Sequence, residues 1–236
     1  HAHRNQALKK IRQFIEAGFV LVLLGLFRLM PLRMASAIGG WILMSLARFT
    51  KRHRRGIANV QHVFPEKSTK EAKALVNEHW NVMGRNIAEM PRIRDIFEDE
   101  ERYEIEGLEI LERTIANGKG AVLVAAHFGN WEMLSIPTAK LNASMAVFYH
   151  PLSNQWLDPW LRKFRLDLML GGELIEKREQ ALRRAIKVLS SGNFIGMLVD
   201  LREDSGLDIP FLGRPAKTNP SAAMLALRYD APLIAL

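Results

Sequence analysis

The chain has 236 residues, 48% of them hydrophobic and 25% charged, the composition of an ordinary globular protein, which excludes a disordered or fibrous chain. With no cysteine, disulfides, thiolate nucleophiles and cysteine metal sites are excluded in one step, and a reducing compartment is suited. A net charge of +8 and a pI near 9.9 draw anionic partners, whether phospholipid headgroups, an acidic protein or nucleic acid; without zinc-finger spacing or an RNP-like aromatic strand, nucleic acid comes last.

In chain order, the first fifty residues are the most hydrophobic. The sequence does not begin with Met and closes on an apolar strand pattern, Ala231 to Leu236, so both ends read as cut. His1 and His3 read as a loose chain end rather than as ligands. Ala17 to Phe27 is apolar and lies between Arg12 and Arg28, short of the roughly 18 to 20 residues a spanning helix needs. A second apolar stretch, Met34 to Phe49, carries Ala35, Ser36, Ala37, Gly39 and Gly40. Two buried core helices would read this way, but polar residues flank these runs instead of interleaving them, which favours an interfacial anchor, a helical hairpin around Pro31. The basic run Lys51-Arg52-His53-Arg54-Arg55 follows at once, placed to meet anionic lipid.

Ser68 or Thr69 with Glu71 predicts a capped helix running to about Glu89, and Asp95 to Arg102 reads as a charged surface loop. From Gly107 the pattern alternates. Helices are expected at about Leu108 to Ala116, after Asn130, at Gln155 to Leu170 and at Glu179 to Ser190. Strands are expected at Ala121 to Ala126, Ala143 to Tyr149, Glu173 to Ile175 and Phe194 to Val199. This predicts one α/β domain, residues 51–236, with a largely parallel central sheet and helices on both faces. Ahead of it lies a membrane-associated helical region, residues 1–50.

One apolar strand, Ala121 to Ala126, stops abruptly at a histidine, and ligands bind beyond the carboxyl ends of strands in open α/β sheets. In His127-Phe-Gly-Asn-Trp-Glu132, Gly129 permits an unusual backbone angle and Asn130 is a good N-cap for a helix from Trp131. On one continuous helix, residues five apart point roughly 140° from each other and would not meet, whereas a strand, a glycine-containing loop and a helix start can bring His127 and Glu132 together. A carboxylate in a first helical turn is favoured as the anion and could orient the imidazole, leaving the other ring nitrogen as a general base. Asp200 likewise ends an apolar strand, on the same sheet edge, where it could also be a turn or capping aspartate. Two zinc ligands on one helical turn would not be spaced like His127 and Glu132, and neither a phosphate-binding loop nor a Gly-x-Ser-x-Gly elbow is present.

His-Phe-Gly-Asn-Trp-Glu resembles the His-x4-Glu signature of the bacterial lipid A biosynthesis acyltransferases, the late lauroyl and myristoyl transferases. Asn59-Val-Gln-His-Val-Phe-Pro-Glu66, Trp80 to Glu89 with Gly84-Arg85, and Ile209-Pro-Phe-Leu-Gly213 with Thr218 resemble further blocks of that family in the right order, from about residue 14 onward. Departures exist: Leu201 follows Asp200 where the family usually has Gln, and His150 stands where it typically has Arg. The resemblance implies a glycerolipid-acyltransferase-like fold, continued past residue 236, and a catalytic dyad of His127 and Glu132. It also implies substrate contacts from Asn130, Arg165 and Asp200, with Arg165 equally readable as a solvated cation. No metal and no bound cofactor are implied; the donor would be an acyl-acyl carrier protein and the acceptor an anionic glycolipid, a lipid A precursor. The expected place is the cytoplasmic face of the bacterial inner membrane. Another membrane-lipid acceptor, an acyl-thioester hydrolase or a non-catalytic membrane-binding helper are the alternatives.

Overall fold

Successive apolar strands can pair in parallel only if each connection is long enough to carry the chain back, and here helices do so. The protein, seen in a computed structural model, is described for residues 2–169, 171–176 and 180–236. His1 and the expected helix ends Leu170 and Glu179 fall outside these residues, as does the side chain of His3. Two units make up the chain: His1–Ala17, Phe97–Pro210 and Pro215–Leu236 form one, and Gly18–Ile96 with Phe211–Arg214 the other.

The first fifty residues are two helices, α1 (Ala2–Leu29) and α2 (Leu32–Ala47), broken at Pro31, whose carbonyl accepts from the N–H groups of Met34 and Ala35 at 2.9 and 3.0 Å. Along α1, Leu8, Ile11, Ile15, Phe19, Val22, Leu26 and Leu29 recur three or four residues apart and are all exposed, while Ala17, Leu24 and Phe27 are buried. Among the described residues, no helix is long and apolar enough to cross a membrane. The basic run opens α3 (Lys51–Val63), capped by the Thr50 side chain, which accepts from the His53 N–H at 3.2 Å. Helix α4 (Thr69–Glu89) begins at the expected Ser68–Glu71 capping box. Phe27, Ala35 and Ala88 form a buried cluster in the helical unit. There α2 and α4 touch through glycines: a Cβ added at Gly84 would run into the Gly39 carbonyl oxygen, and one at Gly39 into Ala88. The charged stretch expected as a loop instead holds α5 (Ile93–Glu98) and a 3₁₀ turn at Glu100–Arg102, because Ile93 and Ile96 share a buried side and Arg92 bonds Asp95 at 2.6 Å.

In the other unit α6 (Leu108–Ala116) leads into β1 (Val122–Ala125). The chain continues through a 3₁₀ turn, Trp131–Ser135, α7 (Ile136–Lys140), β2 (Met145–Tyr149), α8 (Asp158–Leu168), β3 (Glu173–Glu176), α9 (Ala181–Ser190) and β4 (Phe194–Leu198). After a two-stranded ribbon of β5 (Leu207–Phe211) and β6 (Arg214–Thr218) come α10 (Ser221–Arg228) and β7 (Leu233–Ala235). The sheet order is β3-β2-β4-β1-β7 and every pair in it is parallel, as expected from the alternation of helix and strand. Neighbouring strand residues face opposite layers. Val122, Ala146 and Ile195 pack with Ala185 and Leu189 of α9 and with Ala222 and Leu225 of α10. Leu123, Met145 and Phe194 pack instead with Leu111 of α6 and with Met169 just past α8. Burying the larger of these side chains contributes about 1.5 to 3 kcal/mol each, so both faces of the sheet are anchored by packing.

Candidate active site

Strands β1 and β4 lie side by side with Ala125 opposite Leu198. Two residues beyond each of these come His127 and Asp200, so parallel register alone brings the pair level at the carboxyl edge. Their contact is double: His127 Nδ1 lies 2.8 Å from Asp200 Oδ1, and the His127 backbone N–H donates to Oδ2 at 3.0 Å. Burial by itself would raise the Asp200 carboxyl, but the hydrogen bonds from the His127 ring and backbone N–H outweigh it and hold the group below the usual aspartate range. An ionised carboxylate can only accept, so the neutral imidazole carries its proton on Nδ1 and presents Nε2 as a base. Both side chains are about a third exposed, at 33% and 35%, so a substrate can reach them.

The loop that follows turns on Gly129, whose φ of 55° is left-handed and favours glycine. A Cβ there would meet nothing within 4 Å, so the requirement is conformational and not steric. Asn130 stands at the helix start as expected, but its side chain makes no cap, and the segment begins as a 3₁₀ turn in which the Asn130 carbonyl accepts from Met133 at 3.0 Å.

Glu132, expected beside the imidazole, turns to a different partner. Arg165 on α8 grips its carboxylate with two nitrogens, the terminal N–H₂ to Oε1 at 2.6 Å and Nε to Oε2 at 3.1 Å. The indole N–H of Trp131 adds a bond to Oε1 at 3.1 Å, and the Glu132 side chain is only 9% exposed. Arg165 is itself seated over the ring of Tyr149 at 5.7 Å, with Arg162 at 5.3 Å. Tyr149 is pushed up from the usual tyrosine range by burial first, then by the bond its hydroxyl donates to Asp158 at 2.5 Å. The structure thus joins His127 to Asp200 and Glu132 to Arg165 as two pairs. Sequence reasoning passed over Trp131, whose ring lies 5.4 Å from that of His127 at 65°, and Tyr149, whose position at the end of β2 was the available signal. Phe128, beside His127, is 88% exposed. A cavity of about 620 Å³ runs along β3 between α8 and α9, lined by Arg162, Glu173, Glu176, Arg183, Arg184 and Lys187 among others, and does not include His127.

Comparison with known proteins agrees with the motif. Residues 2–236 match the model of the family described as bacterial lipid A biosynthesis acyltransferase. The chain is 28% identical over 124 residues to the lipid A biosynthesis myristoyltransferase of Escherichia coli (strain K12), covering 50% of this chain and 38% of that protein. It is 27% identical over 157 residues to lipid A biosynthesis acyltransferase 2 of Shigella flexneri, covering 66% of this chain and 48% of that protein. In both cases the match spans less than half of the relative's length.

Proposed function

Because the chain belongs to the bacterial lipid A biosynthesis acyltransferase family, we propose that it moves a fatty acyl group from an acyl carrier protein thioester to a hydroxyl of a lipid A precursor, at the cytoplasmic face of a bacterial inner membrane. The supporting observation is the 2.8 Å contact between His127 Nδ1 and Asp200, which leaves Nε2 without a hydrogen-bond partner among the described residues. In this reading Nε2 takes the acceptor hydroxyl's proton as that oxygen attacks the thioester carbonyl. The tetrahedral intermediate collapses with cleavage of the C–S bond, and the imidazolium returns the proton to the departing thiolate. Asp200 holds the ring in the required tautomer and stabilises its charged form. Glu132, clamped by Arg165, fixes the loop that carries His127 against α8, and exposed Phe128 offers apolar surface to an acyl chain beside the base. A net charge of +8 suits both an acidic carrier and an anionic glycolipid.

The test is product analysis. Purified protein, acyl carrier protein thioester and a lipid A precursor should give the acylated lipid by mass spectrometry. Free fatty acid alone would mean hydrolysis, and transfer only to a glycerophosphate or mannosylated lipid would change the acceptor. His127→Ala and Asp200→Asn should each lower turnover by about 100-fold or more, the scale of general-base contributions, while circular dichroism stays unchanged. Near-normal turnover in a folded Asp200→Asn protein would remove Asp200 from this role.

A further inference from the structure

Two side-chain pairs, His127–Asp200 and Glu132–Arg165, meet at one indole. The Trp131 indole lies edge to face with the His127 ring, at 5.4 Å and 65°, and the same indole donates Nε1–H to Glu132 Oε1 at 3.1 Å. Glu132 is in turn fixed by the Arg165 fork. Since Trp131 and Glu132 are neighbours on one 3₁₀ turn, the indole N–H can reach that carboxylate only in a narrow range of side-chain angles, and that range determines where the other ring edge stands. Asp200 fixes one atom of the imidazole, Nδ1, which still allows the ring to tilt about that contact. A wall on a second side is needed to aim Nε2.

We infer that Trp131 is a positioning residue: anchored by Glu132, it sets the plane of the His127 ring and so transmits the Arg165–Glu132 pair to the base without any direct contact between His127 and Glu132. This rests on reading His127 as the general base. It assigns the glutamate of the motif a part in catalysis that acts through the indole and not through an imidazole hydrogen bond.

Two substitutions separate the parts of the device. Trp131→Phe keeps an aromatic ring but removes the N–H that ties it to Glu132; Trp131→Leu removes both. Acyl-transfer kcat should fall about tenfold in the first and on the order of 100-fold in the second, because misaiming a base raises the barrier to proton transfer. KM for the acyl donor should stay within about twofold, as expected when ground-state binding is untouched. A merely structural tryptophan would not produce that split. A second readout is independent of turnover: imidazolium quenches indole emission on contact, so acidification should dim Trp131. Trp80 lies 5.4 Å from His79 and contributes its own change, so the quantity read is the difference between wild type and Trp131→Phe. That pH-dependent difference should vanish when the same pair is compared in a His127→Gln background. Its persistence there, or a Trp131→Leu kcat within about twofold of wild type, would overturn the inference. Should no lipid be acylated at all, the fluorescence difference would still decide the Trp131–His127 contact, keeping failure of the functional reading distinct.

Discussion

A carboxylate enclosed to the extent of Glu132, with 9% of its side chain exposed, has lost most of its hydration and depends on what replaces it. Removing the Arg165 fork leaves it buried without its main partner, so Arg165→Ala should destabilise the protein by about 3 kcal/mol or more in urea unfolding. Adding Glu132→Gln to that variant should restore part of the loss, since the two substitutions act on one pair; strictly additive effects would count against the clamp. Asp200 gives a pH signature with a definite sign. Its carboxyl is depressed in the folded protein, so its contribution is complete above the unfolded value of about 3.9 and is lost as pH falls through the lower folded value. The stability gap between wild type and Asp200→Asn should therefore shrink as pH falls below about 4; a gap that does not shrink there would mean the carboxyl is not depressed. His127, Glu132 and Asp200 could be read from strand ends and the motif, and Arg165 from the family resemblance, yet their pairing could not. Whether Asp200 or Glu132 meets the imidazole depends on Ala125 lying opposite Leu198, and register between strands separated by some seventy residues leaves no trace in either strand's own pattern.

Helices and strands were legible where a local rule had no competitor. The Ser68–Glu71 box starts α4 as its spacing demands, and the buried strands of the sheet stand out because nothing polar interrupts them. Helix α3 was hidden, since five basic or histidine residues at its start mask the half-buried positions Gly56, Ile57 and Val60 behind buried His53. The ribbon β5–β6 was hidden for a different reason: its tip uses Leu212 at φ 48° and Gly213 at φ 79°, without the Asn-Gly or Asp-Gly pair that usually announces such a turn. Tertiary contact also explains why α2 is so rich in small residues. Gly39 and Gly84 let the two helix backbones touch, so Gly84→Ala should force them apart and cost about 1 to 3 kcal/mol by urea unfolding, as overpacking does. Gly25→Ala, where an added Cβ meets nothing within 4 Å, is the control and should be neutral or slightly stabilising; equal losses at both positions would point to something other than helix approach.

For the whole molecule, what matters is how a basic protein would find an anionic lipid, and here the structure alters the experiment that composition suggests. Removing residues 1–50 outright would also delete buried Ala17, Leu24, Phe27 and Ala35, so loss of lipid binding could simply report unfolding. The exposed stripe along α1 offers a cleaner route, because Ile15, Phe19, Val22 and Leu26 can become aspartate without disturbing a core. If α1 lies in the interface of a bilayer, each of these side chains contributes about 1.5 to 3 kcal/mol when fully buried, against about 1 kcal/mol for each of Lys51, Arg52, Arg54 and Arg55 near anionic headgroups. The fourfold aspartate variant should therefore lose liposome flotation at any ionic strength. Neutralising the four cations should weaken binding only to anionic liposomes, and high salt should mimic that change, since screening at 0.15 M acts over about 8 Å. Undiminished flotation of the aspartate variant, with its folding intact by circular dichroism, would mean that some surface other than α1 meets the membrane.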